Sequence, residues 1–471
     1  LPKGSDDRLM IAKRLIAEKC LYGVDLNPLA VELAKLSLWL TTLAKGQPFG
    51  FLDHNLRVGN SLLGITSLDQ ITNLSMTPKK AEQGRLFGRT IKKAVDEAIQ
   101  LRIRLRDTTV RDVRDIQAME ALDSESSQIL ELPLLLADAL TGIELAYGNQ
   151  RAINEQTEKL AIFADEVVAG NFDVEGAIRK AAVANLAADE PMGNVRQPFH
   201  WPLQFPEVFN RKNSGFDAFV GNPPFVGGQK IREGSGAAFR DFIVRNIAEG
   251  RKGSADLVAY FFLQTFELLR EDGGFGLLAV NTISDGDTRQ VGLESMLKGT
   301  AVIHAAYPNE AWPGKAAVVT SRVHVHKGKW SGQCFLLGMP APYISAFLSD
   351  REEWSPRQLV ANQGIAFQGS IVLGKGFVLE LDEAQRMLDA DPNNKDVLFP
   401  YLNGQDLNSH PEQKPSRWVI NFWDWPKDRA AEYTLPFEHI EKYVKPVRWE
   451  KKSDGDYKQG KDARENWWLH L

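Results

Sequence analysis

Apolar residues at the start of the chain follow two rhythms. Residues 1–44 read as a helix, a short apolar run at residues 20–24, and a second helix opening near Pro28. In that second helix Leu29, Leu33, Leu36 and Leu40 recur at spacings of four and three. Pro28 suits a first helical position, and Asn27 or Asp25 suits the cap. From residue 76 to about 188 proline is scarce and apolar residues fall at helical spacing, as at Leu132, Leu135, Leu136, Ala139 and Leu140, which predicts a helical insertion. Within it Leu101-Arg102-Ile103-Arg104-Leu105-Arg106 alternates like a strand, but its flanks are helical and the segment is read as helix. A proline- and aromatic-rich approach, residues 198–209, precedes strand-like runs at 216–220, 275–280, 302–307 and 318–325. Between the first two runs the pattern predicts an amphipathic helix over 255–269, stopped by Asp272-Gly273-Gly274. Beyond residue 340 short apolar runs alternate with Gly and Pro turns, as at 364–381 and 418–426, predicting a mainly β module that continues past residue 471.

Composition narrows the class. At 471 residues and 43% hydrophobic content the chain is long enough for about three domains with real cores. Its 56 Lys+Arg against 61 Asp+Glu give a net charge of -5, which excludes a charged disordered tail and leaves a locally basic groove open. Two cysteines, Cys20 and Cys334, make no disulfide framework, and no Cys/His spacing suggests a metal, so a reducing cytoplasm and no metal site are expected. The longest apolar stretch, 257–269, is broken by Gln264 and Glu267, so no membrane span is expected.

The chemistry concentrates in Phe216-Asp217-Ala218-Phe219-Val220-Gly221-Asn222-Pro223-Pro224-Phe225, a strand running into Asn-Pro-Pro-aromatic. Two prolines fix φ and remove two N–H donors, leaving a stiff bend whose carbonyls can accept. An amide or exocyclic NH2 is a poor nucleophile because its lone pair is delocalised. The Asn222 side-chain oxygen and the Pro223 carbonyl can accept both its hydrogens and favour pyramidalisation. Phe225 offers a flat face for stacking, worth about 1 to 3 kcal/mol per base. The same four residues also suit a plain turn leaving a strand.

On these residues the chain resembles the amino-group DNA methyltransferases, specifically the methylase part of type IIG restriction-modification proteins and related phage-exclusion methylases, in which Asn-Pro-Pro-aromatic lines the pocket of a flipped adenine. Three further segments resemble that family in the same order, the third being Ser254-Ala255-Asp256-Leu257 with the strand-like run from Gly274 to Thr282. Leu21-Tyr22-Gly23-Val24-Asp25-Leu26-Asn27-Pro28 is similar to its second strand, whose terminal carboxylate holds the cofactor's ribose hydroxyls; Asp25 is alternatively the cap of the next helix. Leu56-Arg57-Val58-Gly59-Asn60-Ser61-Leu62 is similar to the third strand's exit, where Asn60 stands in place of the common Asp and suits either an adenine contact or a turn. Asp256, in Ser254-Ala255-Asp256-Leu257, either shapes the substrate pocket or serves the helix macrodipole.

The resemblance implies a class I, Rossmann-like, doubly wound α/β sheet that transfers methyl from S-adenosyl-L-methionine to adenine N6 in double-stranded DNA. Asn222, Pro223, Pro224 and Phe225 are its expected catalytic residues; Asp25, Leu26, Asn60, Ser61 and Asn222 are its cofactor residues. The implied organisation is a first core part at 1–75, the helical insertion at 76–195, a second core part at 196–340, and a linker with a partial β-rich target-recognition domain at 341–471. Other subunits of a restriction or phage-defence system are further expected partners. The family's Gly-rich cofactor loop should precede Asp25 by about 20 residues, yet residues 1–19 hold only Gly4. The chain is therefore expected to be truncated and to bind cofactor weakly. The Arg102 to Arg114 cluster reads as a solvated helix face or a DNA-backbone contact, and His324 and His326 read as structural. Six of the eleven tryptophans lie between Trp418 and Trp468, interleaved with lysines, and suit either core or nucleic-acid contact. Protein glutamine methylation and a catalytically inactive DNA-binding scaffold are the alternatives in function.

Overall fold

Strand–helix–strand units that pair in parallel form where a buried apolar run ends, a capped helix crosses over, and a second run returns. The structure, a computed structural model, describes residues 5–42, 51–78, 86–110, 112–251, 254–312, 318–351, 359–362, 372, 374–451 and 457–470. These fall into two compact units, Leu1–Trp354 and Ser355–Leu471.

In the first unit β1 (Gly23–Asp25) and β2 (Leu56–Val58) pair in parallel, with Asp25 opposite Val58. Helix Pro28–Thr41 connects them. Its cap is Asn27, whose Oδ1 accepts from Leu29 N–H at 3.0 Å. The helix buries Val31 and Lys35, while Leu29, Leu33, Leu36 and Leu40 stand 65, 54, 46 and 65% exposed. The leucine recurrence that predicts this helix is therefore its outer face.

A six-stranded sheet follows, formed by β3 (Phe216–Gly221), β4 (Leu269–Val280), β5 (Ala301–Ala311), β6 (Val319–Lys327), β7 (Cys334–Leu336) and β8 (Met339–Ala341) in the order β3-β4-β6-β5-β7-β8. β3 and β4 are parallel, while β6 runs antiparallel to both β4 and β5. Among the described residues β1 has a ladder partner only in β2, and β3 only in β4. Side chains join the two strands where ladders do not: Tyr22 meets Phe205 at 4.9 Å and Phe216 at 5.5 Å, over a cluster holding Phe199, Trp201 and Phe205.

Three expectations change in this unit. The helix expected over 255–269 spans Leu257–Leu268, and β4 begins directly after it. Lys327 Nζ donates to the carbonyls of Phe266, Glu267 and Leu269, closing the helix end. Asp272-Gly273-Gly274 does not stop a helix; it lies inside β4, where Asp272 takes φ 58° and the pairing with β3 jumps from Leu269 to Gly274. Arg102 is neither a solvated residue nor a phosphate clamp: it is buried, donating to Asp123 at 2.6 Å and to the Gln204 carbonyl at 2.7 Å, with Glu207 at 3.6 Å. Arg57 on β2 reaches the same Asp123 at 2.8 Å, so the insertion is ion-paired to the sheet.

Helices Leu86–Asp107, Val113–Ile129, Glu131–Ala146, Gln150–Val168 and Asp173–Leu186 form the segment between β2 and β3, and Leu101 to Arg106 is helical within the first. Apart from Val113–Ile129, these helices share one core with Leu62, Leu63 and Ile65 beyond β2, and with Leu257 and Tyr260. The first unit runs past residue 340, because Ile344, Ala346 and Leu348 pack into the core of the six-stranded sheet.

The second unit differs from the mainly β module expected. β9 (Val378–Glu380), β10 (Leu398–Tyr401) and β11 (Arg417–Ile420) form an antiparallel sheet in the order β10-β11-β9, and helices such as Leu381–Ala390 and Thr434–Tyr443 outnumber its strands among the described residues. Phe377, Phe422, Phe437 and Trp467 make its core. Residues 364–371 and 373, within the strand-like segment expected at 364–381, lie outside the described residues.

Candidate active site at the strand ends

Strand β3 delivers the Asn-Pro-Pro-Phe segment. Phe216 and Phe219 anchor it against Trp201 at 5.9 and 6.1 Å, while Val220 is 92% exposed. After Gly221 the chain emerges: Asn222 and Pro224 are exposed, Pro223 is buried and Phe225 is 38% exposed. Among the described residues the Asn222 amide and the Pro223 carbonyl make no hydrogen bond. The Pro224 carbonyl is taken, accepting from Val226 N–H at 3.1 Å in a three-residue turn. The two acceptors of the expected clamp, on consecutive residues of a stiff bend, are thus unbonded among the described residues.

The loop beyond is tied down at two points. Leu257 N–H donates to the Val226 carbonyl at 2.9 Å, and Gly228 N–H donates to Asp256 Oδ1 at 3.1 Å. Gly228 admits no side chain, since a Cβ there would sit 2.2 Å from the Ser254 carbonyl. Thr282, just past β4, donates its hydroxyl to Asp256 Oδ2 at 2.6 Å. Sequence reasoning assigned no role to Gly228 or Thr282; the glycine pair after Val226 was the available signal.

The second group of expected residues gathers at the end of β1 and β2. Asp25 is exposed, and its Oδ1 accepts from Asn27 N–H at 2.7 Å. Asn27, not Asp25, caps the helix, so the Asp25 carboxylate keeps an oxygen free among the described residues. Leu26 beside it is exposed. Gly59 N–H donates to the Asp25 carbonyl at 3.0 Å, which places Asn60 and Ser61 next to Asp25. Asn60 Oδ1 accepts from Leu62 N–H at 3.1 Å, an Asx turn, so half of its accepting capacity is spent locally. The Ser61 carbonyl accepts from Trp201 Nε1 at 3.2 Å. An exposed carboxylate with a spare oxygen beside an exposed apolar side chain fits a diol and a flat ring, the parts of a nucleoside cofactor. No hydrogen bond or ring contact joins this group to Asn222 or Phe225 among the described residues.

Electrostatics separate these ends from the rest. Asp217, early in β3, is held below the usual carboxylate range by the hydrogen bond from Arg270, with Arg211 adding to it. A cavity of about 330 Å³ lined by Asn73, Glu144, Thr157 and Arg245 shares no residue with either group. Among the described residues no set of His, Cys, Asp and Glu is placed to hold a metal, and no helix is long and apolar enough to cross a membrane.

Comparison with known proteins gives these strand ends a setting. The family model described as Eco57I restriction-modification methylase matches residues 19–305, a span that includes β1, β2, β3 and β4. A protein of Methanocaldococcus jannaschii assigned as a type II restriction enzyme and methyltransferase is 27% identical over 286 residues, covering 56% of this chain and 22% of that protein. Among solved structures, the type IIL restriction-modification enzyme MmeI in complex with DNA is similar at 14% identity and TM-score 0.44, covering 99% of this chain and 53% of that one. The M protein of the type I restriction enzyme EcoKI is similar at 11% identity and TM-score 0.20, covering 69% of this chain and 68% of that one. The chain spans about a fifth of the length of the archaeal relative and about half of MmeI.

Proposed function

Because this chain belongs to the Eco57I restriction-modification methylase family, we propose that it carries the methyl-transfer part of a site-specific DNA methyltransferase acting on adenine N6. The observation that carries the reading is the pair of acceptors at the end of β3: an exposed, unbonded Asn222 amide beside an unbonded Pro223 carbonyl. S-adenosyl-L-methionine, when bound, supplies an electrophilic methyl on a sulfonium. The free oxygen of Asp25 accepts from the ribose hydroxyls, with Leu26, Asn60 and Ser61 around the nucleoside. Adenine N6 is out of reach inside a duplex, so the base leaves the stack and enters as a single flipped nucleotide. Asn222 Oδ1 and the Pro223 carbonyl would then accept the two N6 hydrogens and draw the nitrogen lone pair out of conjugation; as the N6–C bond forms the S–CH3 bond breaks, the sulfonium leaves as a neutral thioether, and one N6 proton passes to solvent. Phe225 stacks on the base plane. Target recognition by the second unit, contact with double-stranded DNA and assembly with other restriction or defence subunits belong to the same proposal.

The test uses the protein as its gene encodes it, labelled S-adenosyl-L-methionine, and DNA from cells lacking the gene. Asn222→Ala is expected to lower methyl incorporation by about 100-fold or more with an unchanged melting curve. Nucleoside mass spectrometry should find the label on N6 of adenine. Undiminished transfer by the variant, or label on protein glutamine, sinks the reading.

A further inference from the structure

Asp256 invites the bland reading of an acidic residue placed for a helix N-terminus, but its side chain does not cap helix Leu257–Leu268. It points away and joins two strand exits. One oxygen accepts from Gly228 N–H, six residues beyond Asn222, and the other accepts from the Thr282 hydroxyl, two residues beyond β4. Its own N–H donates to Thr288 Oγ1 at 3.1 Å, which adds helix Gly286–Val291 to the junction. The neighbouring Leu257 N–H holds the Val226 carbonyl, so residues 256 and 257 grip the loop at both 226 and 228. The grip is rigid, because Val258 and Phe262 of the following helix are fully buried.

We propose that Asp256 is the positioning residue of the Asn222–Phe225 clamp: it fixes the far end of the loop whose near end is β3, so that the two prolines transmit that fix to Asn222 and Phe225. The stiffness of Pro223 and Pro224 is what makes the remote anchor matter, since φ cannot relax at either to absorb a displacement at Gly228. Among the described residues the Asn222 amide and the Pro223 carbonyl have no hydrogen bonds of their own to hold them, so their placement depends on the loop ends. The role needs a hydrogen bond to Gly228 N–H and one to the Thr282 hydroxyl at once, not a negative charge. An asparagine meets it, with its oxygen taking Gly228 N–H and its amino group donating to the Thr282 hydroxyl.

This inference rests on the methyl-transfer reading, and the experiment separates the two. In the gene-encoded protein, kcat and KM for unmodified DNA are measured with labelled methyl donor, beside thermal melts, for wild type, Asp256→Ala, Asp256→Asn and Thr282→Val. Misplacement of the clamp is expected to lower kcat of Asp256→Ala by roughly 30- to 100-fold, with KM for DNA within about twofold. Asp256→Asn should recover to within about fivefold of wild type, and Thr282→Val, which removes one of the two bonds, should fall between them. If Asp256→Ala does not fold, the asparagine and valine variants carry the same comparison. The proposal is overturned by an Asp256→Ala kcat within twofold of wild type, by a loss that merely tracks the unfolded fraction, or by an asparagine variant as inactive as the alanine. Wild-type protein that transfers no methyl overturns the functional reading and this inference with it; active wild type with an unaffected Asp256→Ala overturns the inference alone.

Discussion

Polar residues near β1, β2 and β3 are used in two opposite ways. Beside β1 and β2, buried Arg102 and Asp123 meet half-buried Arg57 and Glu207, and the Tyr22 hydroxyl donates to Glu207 at 3.0 Å. Burial and the Glu207 carboxylate push the Tyr22 hydroxyl's pKa upward, keeping it a donor. At the ends of β1 and β3, Asp25 and Asn222 are exposed and keep accepting capacity in reserve. A buried charge left unpaired is expensive, so the first set must neutralise itself and thereby docks the helical insertion on the sheet. An exposed acceptor has water as its partner and can exchange it for a ligand at little cost. Charge alone does not mark a site; uncommitted lone pairs on a rigid support do.

Breaking the buried set should produce the largest effect. Arg102→Met leaves Asp123 paired with Arg57 and takes the guanidinium away from Glu207, and is expected to cost about 3–5 kcal/mol in urea unfolding. A cost under about 1 kcal/mol would place this network with ordinary surface pairs and erase the contrast. At the exposed end, Asp25→Ala should leave unfolding unchanged while weakening S-adenosyl-L-methionine by about 2 kcal/mol, roughly 30-fold, in a calorimetric titration of the gene-encoded protein. Equal affinity in the variant would remove Asp25 from the cofactor site.

A smaller effect sharpens the comparison through pH. His54 is buried, stacked on Phe51 with ring centroids 5.5 Å apart, and its pKa is lowered to about 3 by burial and by Arg102, Arg57 and Arg106. Unfolded, the imidazole titrates near its ordinary 6.5. Between those values the unfolded chain binds a proton that the folded chain refuses, so this contribution is complete above about pH 6.5 and declines as pH falls toward 3. The expected loss between pH 7 and pH 5.5 is about 1 kcal/mol from this residue. His54→Gln should show a correspondingly shallower acid slope in melts at the two pH values; parallel slopes would show that His54 is protonated in the fold.

Local features were readable where the reason for them is local. The helix after Asn27 follows from its cap, its proline and its leucine spacing, and the bend after Gly221 follows from two consecutive prolines. Periodicity was less informative about which side of an element meets the core. Helix Pro28–Thr41 is apolar on nearly all sides, so the spacing of Leu29, Leu33, Leu36 and Leu40 identified a helix while Val31 and Lys35 turned inward. Asp272-Gly273-Gly274 has the composition of a helix stop, and only the pairing of β3 with β4 made it an irregularity within a strand. Arg102 looked like one of several exposed arginines because its partners, Asp123, Gln204 and Glu207, are remote in sequence.

The amino-acid order alone determined the elements proposed to carry the chemistry, since caps, prolines and apolar spacing act over a few residues: a strand into Asn222-Pro223-Pro224-Phe225, and a strand ending at Asp25 before a capped helix. Tertiary structure alone decided which polar groups were consumed. Whether Asn60 spends an oxygen on its own turn, whether Arg102 meets solvent or Asp123, and whether Asp256 caps its helix or spans two strand exits depends on what the rest of the chain brings within hydrogen-bond reach. Hydrogen bonds and ion pairs have ranges of a few ångströms, and which groups fall inside that range is set by the packing of elements distant in sequence.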